Sequence, residues 1–169
     1  NIFGPANAQP ITVPNREMAL GCYYITTIAE GKEGEDVKFF ACEEDAIRAY
    51  NTRKITVQQK IKLRINKEII ETSVGRVLFN QVLPDHMEYL NTTVRGITIR
   101  DIILKATETD SREIVSDLID SIKTIGFWGA TIAGVSISIF DAKIVPNKQE
   151  YLDKAEVEIT KIEANLAKG

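Results

Sequence analysis

The chain has 169 residues, of which 44% are hydrophobic and 27% are charged, and its formal net charge at pH 7 is −3. This composition is typical of a soluble globular protein with one sizeable core, or with one compact domain and an appendage. The negative charge argues against a protein that binds nucleic acid by itself, since phosphate neutralisation needs clustered Lys and Arg.

The sequence also disfavours a membrane protein and a zinc-binding protein. No apolar run approaches the roughly 20 residues that span a bilayer, and the first ten residues lack a signal-peptide pattern, so we expect a cytosolic protein without a membrane partner. Cys22 and Cys42 have no CxxC spacing, and His86 is the only histidine. We therefore predict no zinc site and two buried, reduced thiols.

The N-terminal part of the sequence changes from an extended strip to a helix. Three prolines within residues 1–15 disfavour regular helix. Asn15 is a suitable helix cap, and the segment REMALGCYYIT at residues 16–26 predicts a short, largely buried helix in which Gly21 permits close approach. The polar run at residues 29–38 predicts an exposed loop rather than a metal site.

A strand, a helix and a second strand are predicted next. Phe39 and Phe40 suggest a short strand, and CEEDAIRAYNTR at residues 42–53 has helical spacing behind acidic first-turn residues. From residue 57 to residue 65, apolar and basic residues alternate, which predicts a half-buried strand. We favour a solvated basic face over a phosphate contact there, because three charges without an aromatic neighbour are weak evidence.

The sequence after this strand predicts a turn at residues 66–68 and another strand. That strand is expected to run through Val74 to Leu83, with a bulge or bend at Gly75. Asp85 and His86 then fall in a loop. A hydrolase would need a nucleophile and an orienting partner for this pair, and we can assign neither, so a surface histidine is favoured.

Two helices are predicted in the next part of the chain. Residues 98–106 carry an apolar side, and Asp110 or Ser111 can cap a second helix whose buried stripe ends near Gly126. The connection is short, so the two helices should pack closely.

The last part of the chain begins with a run of small residues at 126–134, which permits close approach of the backbone to neighbours or to a molecule in a channel. An alternating run at 135–140 predicts a strand or an extended run with one apolar face. The final segment has the seam of a helix that pairs with another helix, and we expect the partner helix beyond Gly169. The seam consists of Leu152, Ala155, Ile159, Ile162 and Leu166.

Three stretches carry a resemblance to a known family. They are NIFGPANAQPITVPNREMALGCYYIT, TSVGRVLFNQVLP and GFWGATIAGVSISIFDAKIVPNK. In this order and spacing they resemble the beta-prime subunit of bacterial multisubunit DNA-directed RNA polymerase, and the resemblance extends over residues 1–169.

The predicted elements indicate an α+β fold of mixed short strands and helices. The resemblance implies that residues 1–146 form a pore domain and that residues 147–169 form the first rim helix of the funnel, one half of a coiled-coil hairpin. The resemblance also implies that the pore and funnel form the secondary channel, through which nucleoside triphosphates enter and into which a backtracked transcript extrudes. The rim hairpin is similar to the docking site of transcript-cleavage and stringent-response factors.

The resemblance also implies roles for individual residues. We expect Asn7, Arg16 and Thr131 to face the channel, and the charges of Lys154, Glu158 and Lys161 either to bind a factor or to form a solvated helix face. The family's metal-binding NADFDGD motif is expected to precede the chain, so no catalytic residue or metal ligand is expected here.

By the same resemblance, the parent enzyme is a nucleotidyltransferase that uses Mg²⁺, and the chain alone should be inactive. Its expected partners are the other polymerase subunits, together with DNA and RNA through the parent complex.

The sequence departs from the family pattern at two places. Asn15, Arg16 and Glu17 stand where many members have Ser-Gln-Asp, so the resemblance does not carry over a glutamine contact near the transcript end. Arg16 instead offers a phosphate a bidentate partner. Ile132 stands where many members have arginine, which removes a basic contact.

Two other function classes stay open. One is a free-standing helical module that dimerises through Leu152, Ile159 and Leu166, since an exposed apolar seam favours association. The other, which we favour least, is a hydrolase that uses Asp85 and His86, because no nucleophile motif accompanies the pair.

Overall fold

A computed structural model of the chain describes residues 16–29, 37–136 and 138–168. Within these ranges the chain forms six α-helices, three strands and one 3-10 helix, which confirms the predicted α+β class. The chain divides into two compact units, Asn1–Gly134 and Val135–Gly169. The domain division expected at residue 146 stays a proposal.

In chain order the elements are α1 (Glu17–Thr26), β1 (Phe39–Phe40), α2 (Glu43–Asn51), β2 (Lys60–Ile65), β3 (Glu68–Ser73), α3 (Val74–Asn80), α4 (Gly96–Thr109), α5 (Arg112–Ala133), a 3-10 turn (Ile139–Asp141) and α6 (Lys148–Leu166).

The strands form one sheet in the order β1-β2-β3. β1 runs parallel to β2, and β2 pairs antiparallel with β3 through a register that places Ile65 opposite Glu68. The connecting residues Asn66 and Lys67 both have positive φ, as a two-residue hairpin of the primed type requires. The predicted turn is therefore confirmed, and it fixes which side chains of β2 and β3 share a face.

The first unit has two hydrophobic clusters that meet at α3. One cluster packs the inner face of the sheet, including Ile61 and Leu63, against α2 and α3. The other joins α1, α4 and α5 around Ile103 and Ile122, and it receives Phe79 from α3. The α4 and α5 helices pack in one cluster, as predicted from their short connection. Ser111 caps α5 by accepting a hydrogen bond from the Ile114 N–H at 3.5 Å.

The strand predicted through Val74 to Leu83 is wrong. The third strand ends at Ser73, whose Oγ accepts a hydrogen bond from the Arg76 N–H at 3.4 Å and caps α3. A short apolar run does not by itself distinguish a buried strand from a buried helix, and here the cap decides. Gly75 is not a bulge but a helical residue, where a Cβ would overlap the carbonyl oxygen of Ile25.

The predictions for residues 126–140 are also corrected. Instead of ending near Gly126, α5 continues to Ala133 and ends at Gly134, which has the left-handed φ of 57° typical of a helix C-cap. Glycine weakens a helix interior by roughly 1 kcal/mol per residue, but here Gly126 and Gly129 are buried in a helix contact that offsets this cost. The described part of residues 135–140 contains no strand and has instead the 3-10 turn.

The second unit consists of that 3-10 turn and α6. The predicted final helix is confirmed, and no side chain along its described length is buried. Its seam residues are exposed, from 48% at Leu152 to 81% at Leu166. The described structure therefore leaves the apolar seam unpartnered, and the coiled-coil hairpin stays a prediction.

Candidate functional site

The α1 and α5 helices cross with their backbones in contact. A Cβ on Gly126 would stand 2.6 Å from the carbonyl oxygen of Met18, and one on Gly129 would stand 2.6 Å from that of Gly21. A Cβ on Gly21 would in turn overlap the carbonyl oxygen of Gly126. These distances confirm the close approach predicted at Gly21 and at the small residues of 126–134. The neighbour is protein backbone, so the small residues are explained without a bound molecule.

Arg16 stands directly before α1 in an unusual conformation. Its φ is 50° and its ψ is −118°, and it is exposed. Left-handed backbone costs a non-glycine residue about 1–2 kcal/mol. The carbonyl of Arg16 accepts the first helical hydrogen bond, from the Leu20 N–H at 2.8 Å. The predicted cap Asn15 lies outside the described residues.

Thr131 lies in the last turn of α5 and is exposed. Its Oγ1 donates to the carbonyl oxygen of Phe127 at 2.8 Å, so the hydroxyl proton is used within the helix. The oxygen can still accept a hydrogen bond. The neighbouring Ile132 is 38% exposed. Arg16 thus directly precedes α1 and Thr131 lies in α5, the helix that packs against α1, while Asn7 lies outside the described residues.

The three residues predicted to bind a factor share one side of α6. Lys154, Glu158 and Lys161 follow at spacings of four and three, which places them on a face about 110° around the helix from the apolar seam. Lys154 Nζ makes an ion pair with Glu150 Oε1 at 2.7 Å. An exposed pair of this kind stabilises a helix by only about 0.3–0.5 kcal/mol, so the lysine can exchange it for another partner.

The GRVLFN motif has a structural role that the sequence reasoning missed. Arg76 Nε donates to the carbonyl oxygen of Thr26 at 2.9 Å, and its Nη1 donates to the carbonyl and side-chain oxygens of Asn91 at 2.8 and 3.0 Å. Asn80 Nδ2 donates to the carbonyl oxygen of Leu90 at 3.0 Å, and Asn80 Oδ1 accepts from the Leu90 N–H at 2.7 Å. The sequence indicated this role, because Arg76 and Asn80 are two polar residues within an apolar run and are four residues apart. This spacing places them on one face of a helix.

His86 does not form a catalytic triad. It pairs with Asp110 rather than with its neighbour Asp85, with 3.3 Å between Nε2 and Asp110 Oδ2. The hydroxyl of Thr109 lies 3.4 Å from the same Nε2 atom. A triad needs the nucleophile and the carboxylate on opposite ring nitrogens, so this geometry does not activate the hydroxyl.

The described residues do not fit a metal site. Within that part of the chain, no three His, Cys, Asp or Glu side chains come together as a site would require. No step below uses a metal held by these residues. Of the two free thiols, Cys22 is buried but Cys42 is only half-buried, which corrects the prediction of two buried cysteines.

The first unit contains a cavity of about 620 Å³. It is lined by residues that include Glu43, Asn80, Asp85 and Tyr89. Burial raises the pKa of Glu43, and burial raises that of Tyr89 to about 12. Arg16, Thr131 and the three α6 residues do not line it, so the channel and docking predictions do not involve this cavity.

Comparison with known proteins gives one consistent family. The model of "RNA polymerase Rpb1, domain 3" matches residues 1–142. The "DNA-directed RNA polymerase subunit beta'" of Fusobacterium nucleatum is 36% identical over 100% of this chain and 13% of its own length. The subunits of Sulfurihydrogenibium sp. and Parabacteroides distasonis are 39% and 35% identical, over 92% and 100% of this chain. The chain spans only 10% and 12% of those two relatives. In the described part of the chain, no helix is long and apolar enough to cross a membrane.

Proposed function

The chain belongs to the RNA polymerase Rpb1, domain 3, family and is similar along its length to bacterial beta' subunits; from this premise we propose that it lines the secondary channel of a polymerase. In this proposal the enzyme that carries the chain is a nucleotidyltransferase that works with the other polymerase subunits on DNA and RNA. The chain supplies a wall of the channel, and α6 supplies a docking surface for factors that enter it.

The strained backbone of Arg16 is the observation that carries the channel proposal. Backbone strain of this kind costs about 1–3 kcal/mol and is concentrated at functional sites, where surrounding structure holds it in place. Here the residue with this conformation is an exposed arginine directly before α1. A guanidinium offers paired donors that match the oxygens of a phosphate.

The α1–α5 contact supports the same proposal. Because the two backbones touch at the glycines, the helices leave no space for side chains to shift between them. The backbone contact thus fixes the two helices against each other, with Arg16 directly before α1 and Thr131 in the last turn of α5. A few fixed cationic and polar groups on a channel wall are sufficient to raise the local concentration of an anionic nucleotide.

The channel proposal is tested in a polymerase whose beta' subunit carries this chain. Arg16→Ala should raise the KM for nucleoside triphosphates about 3- to 10-fold and leave kcat unchanged, because steering affects entry and not the chemical step. Arg112→Ala, which removes an exposed arginine at the start of α5, is the matched control. A fall in kcat with unchanged KM would contradict the steering role.

The docking proposal is supported by the exposure and charge of α6. The face that carries Lys154, Glu158 and Lys161 is exposed and lies beside the apolar seam, so a partner helix on the seam leaves the charges accessible. Mixed charges at the rim of an interface set specificity and the association rate more than the affinity.

Charge reversal tests the docking role. Lys154→Glu with Lys161→Glu should weaken the stimulation of the polymerase by a transcript-cleavage factor about 10-fold or more, with basal elongation unchanged. Lys123→Glu is the control, because it reverses an exposed lysine in the first unit. Equal effects of the two sets of changes would contradict a docking face on α6.

A second candidate function, self-association through the seam, is favoured by the exposed apolar residues of α6. Ile159 and Val157 are exposed to 53% and 54%, but they lie on opposite sides of the helix. If the chain dimerises through the seam, Ile159→Asp should abolish association in analytical ultracentrifugation and Val157→Asp should not. Association that persists in Ile159→Asp would exclude the seam.

A further inference from the structure

The outer face of the three-stranded sheet carries a row of cations that the proposed function does not use. Lys60, Lys62 and Arg64 alternate along β2 with Ile61 and Leu63, which are completely buried. Alternate residues of a strand are about 6.6–6.8 Å apart on one face. This spacing is similar to the separation of successive phosphates along an extended single strand of nucleic acid.

The structure adds the aromatic neighbour that the sequence reasoning did not find. β1 pairs with β2 in a register that places Phe39 opposite Lys62, and residues in register share a face. The Arg64 guanidinium carbon lies 5.7 Å from the centre of the Phe39 ring, which is 48% exposed. This contact fixes the guanidinium against one ring and leaves its charge at the surface.

The acidic side chain opposite this row, Glu71, neutralises it only in part. Glu71, which lies opposite Lys62 on β3, makes its ion pair with Lys60 at 2.6 Å. Lys62 and Arg64 have no ion pair among the described residues. Opposite Arg64 is Ile69, an apolar side chain that is 57% exposed. The face therefore combines two cations that make no ion pair among the described residues with exposed aromatic and aliphatic surface.

We propose that this face, defined by Phe39, Lys60, Lys62, Arg64 and Ile69, binds a single strand of nucleic acid. The cations contact successive phosphates, and Phe39 with the Arg64 plane provides a stacking surface for a base. The net charge of −3 does not oppose this, because charges beyond about 10 Å are largely screened at 0.1 M salt. The inference does not rest on the channel and docking proposals, which concern α1, α5 and α6.

The test uses the full chain and a fluorescently labelled 12-nucleotide oligothymidylate, with binding followed by anisotropy from 50 to 200 mM salt. Lys62→Ala with Arg64→Ala should weaken binding about 10-fold or more at 50 mM and reduce the salt slope by about 1.4, since each single-strand phosphate contact contributes roughly 0.7. Phe39→Ala should weaken binding about 5-fold or more without a change in the slope.

Matched controls keep the inference falsifiable. Lys105→Ala with Arg112→Ala removes two exposed cations from α4 and α5 and should leave binding unchanged; circular dichroism checks that each variant folds. A wild-type chain that does not bind at 50 mM, or equal losses in both double variants, would overturn the inference. So would a 12-residue polyglutamate that displaces the oligonucleotide at equal concentration, since it would point to an acidic protein partner.

Discussion

Gly21 lies where the backbones of α1 and α5 touch, and it provides the sharpest test at the scale of a residue. Because a Cβ there would overlap the Gly126 carbonyl oxygen, Gly21→Ala should lower the free energy of unfolding by about 3 kcal/mol. Gly96→Ala is the matched control, since a Cβ at Gly96 would have no neighbour within 4 Å and should stabilise by about 0.5 kcal/mol. Urea denaturation measures both. Equal effects of Gly21→Ala and Gly96→Ala on the free energy of unfolding would contradict a tight backbone contact at Gly21.

Arg16 allows strain to be separated from side-chain function. Glycine adopts a positive φ without the steric penalty, so Arg16→Gly should stabilise the chain by about 1 kcal/mol. Arg16→Ala keeps the penalty and should change stability little. Both variants lose any phosphate contact. Thermal unfolding distinguishes them, and an alanine variant as stable as the glycine variant would mean that the φ of 50° is not a source of strain.

Cys22 makes the stability depend on alkaline pH. Burial raises the pKa of its thiol from 9.0 to about 12. The folded state holds the proton that the unfolded state releases, so this stabilisation is complete below pH 9 and is lost between pH 9 and 12. The expected loss is about 1.4 kcal/mol per pH unit in that window.

Urea unfolding at pH 8, 9 and 10 measures this effect, and Cys22→Ala should remove most of the decline between pH 9 and 10. The variant also leaves a small cavity, which shifts all three values equally. The same decline in the variant and the wild-type chain would assign the effect to another group.

At the scale of an element, the β2–β3 hairpin has the turn geometry without the residue that suits it best. Lys67 has a φ of 74° at the second turn position, where glycine is preferred. Lys67→Gly should therefore raise the free energy of unfolding by about 0.5–1 kcal/mol, whereas Lys62→Gly inside β2 should lower it. Guanidinium denaturation compares them. Destabilisation by both would contradict the turn assignment.

The elements that the sequence predicts well are those with a periodic pattern and a cap. The α4 and α5 helices have isoleucines at helical spacing and a Ser111 cap, and β2 alternates cations with buried residues. The two helical segments that the sequence predicted wrongly share one cause. In α3 and in the second half of α5, glycines lowered the apparent helix preference, but Gly75, Gly126 and Gly129 are present because another backbone approaches them. Such contacts connect residues far apart in the chain.

The candidate site was predictable only in part. The charges of α6 follow from helical spacing, and the structure places them on one face as expected. The strain at Arg16 and the stacking of Arg64 on Phe39 were not predictable, because φ at a helix start and the register between β1 and β2 depend on tertiary packing.

At the scale of the whole molecule, the two compact units correspond to two proposed roles. The first unit, up to Gly134, carries the packed helices and the candidate channel residues Arg16 and Thr131, while the second carries α6 and its exposed charges. This division makes the channel role and the docking role separable by mutation.

The channel role is the central claim, and cross-linking in a polymerase that carries this chain tests it most directly. A photoreactive residue at Thr131 should cross-link to the 3′ end of the RNA in backtracked complexes and not in unbacktracked ones. The same residue at Ser116, about 22 Å back along α5, should not cross-link in either. No cross-link from Thr131 in any backtracked complex, or equal cross-linking from Ser116, would contradict the account.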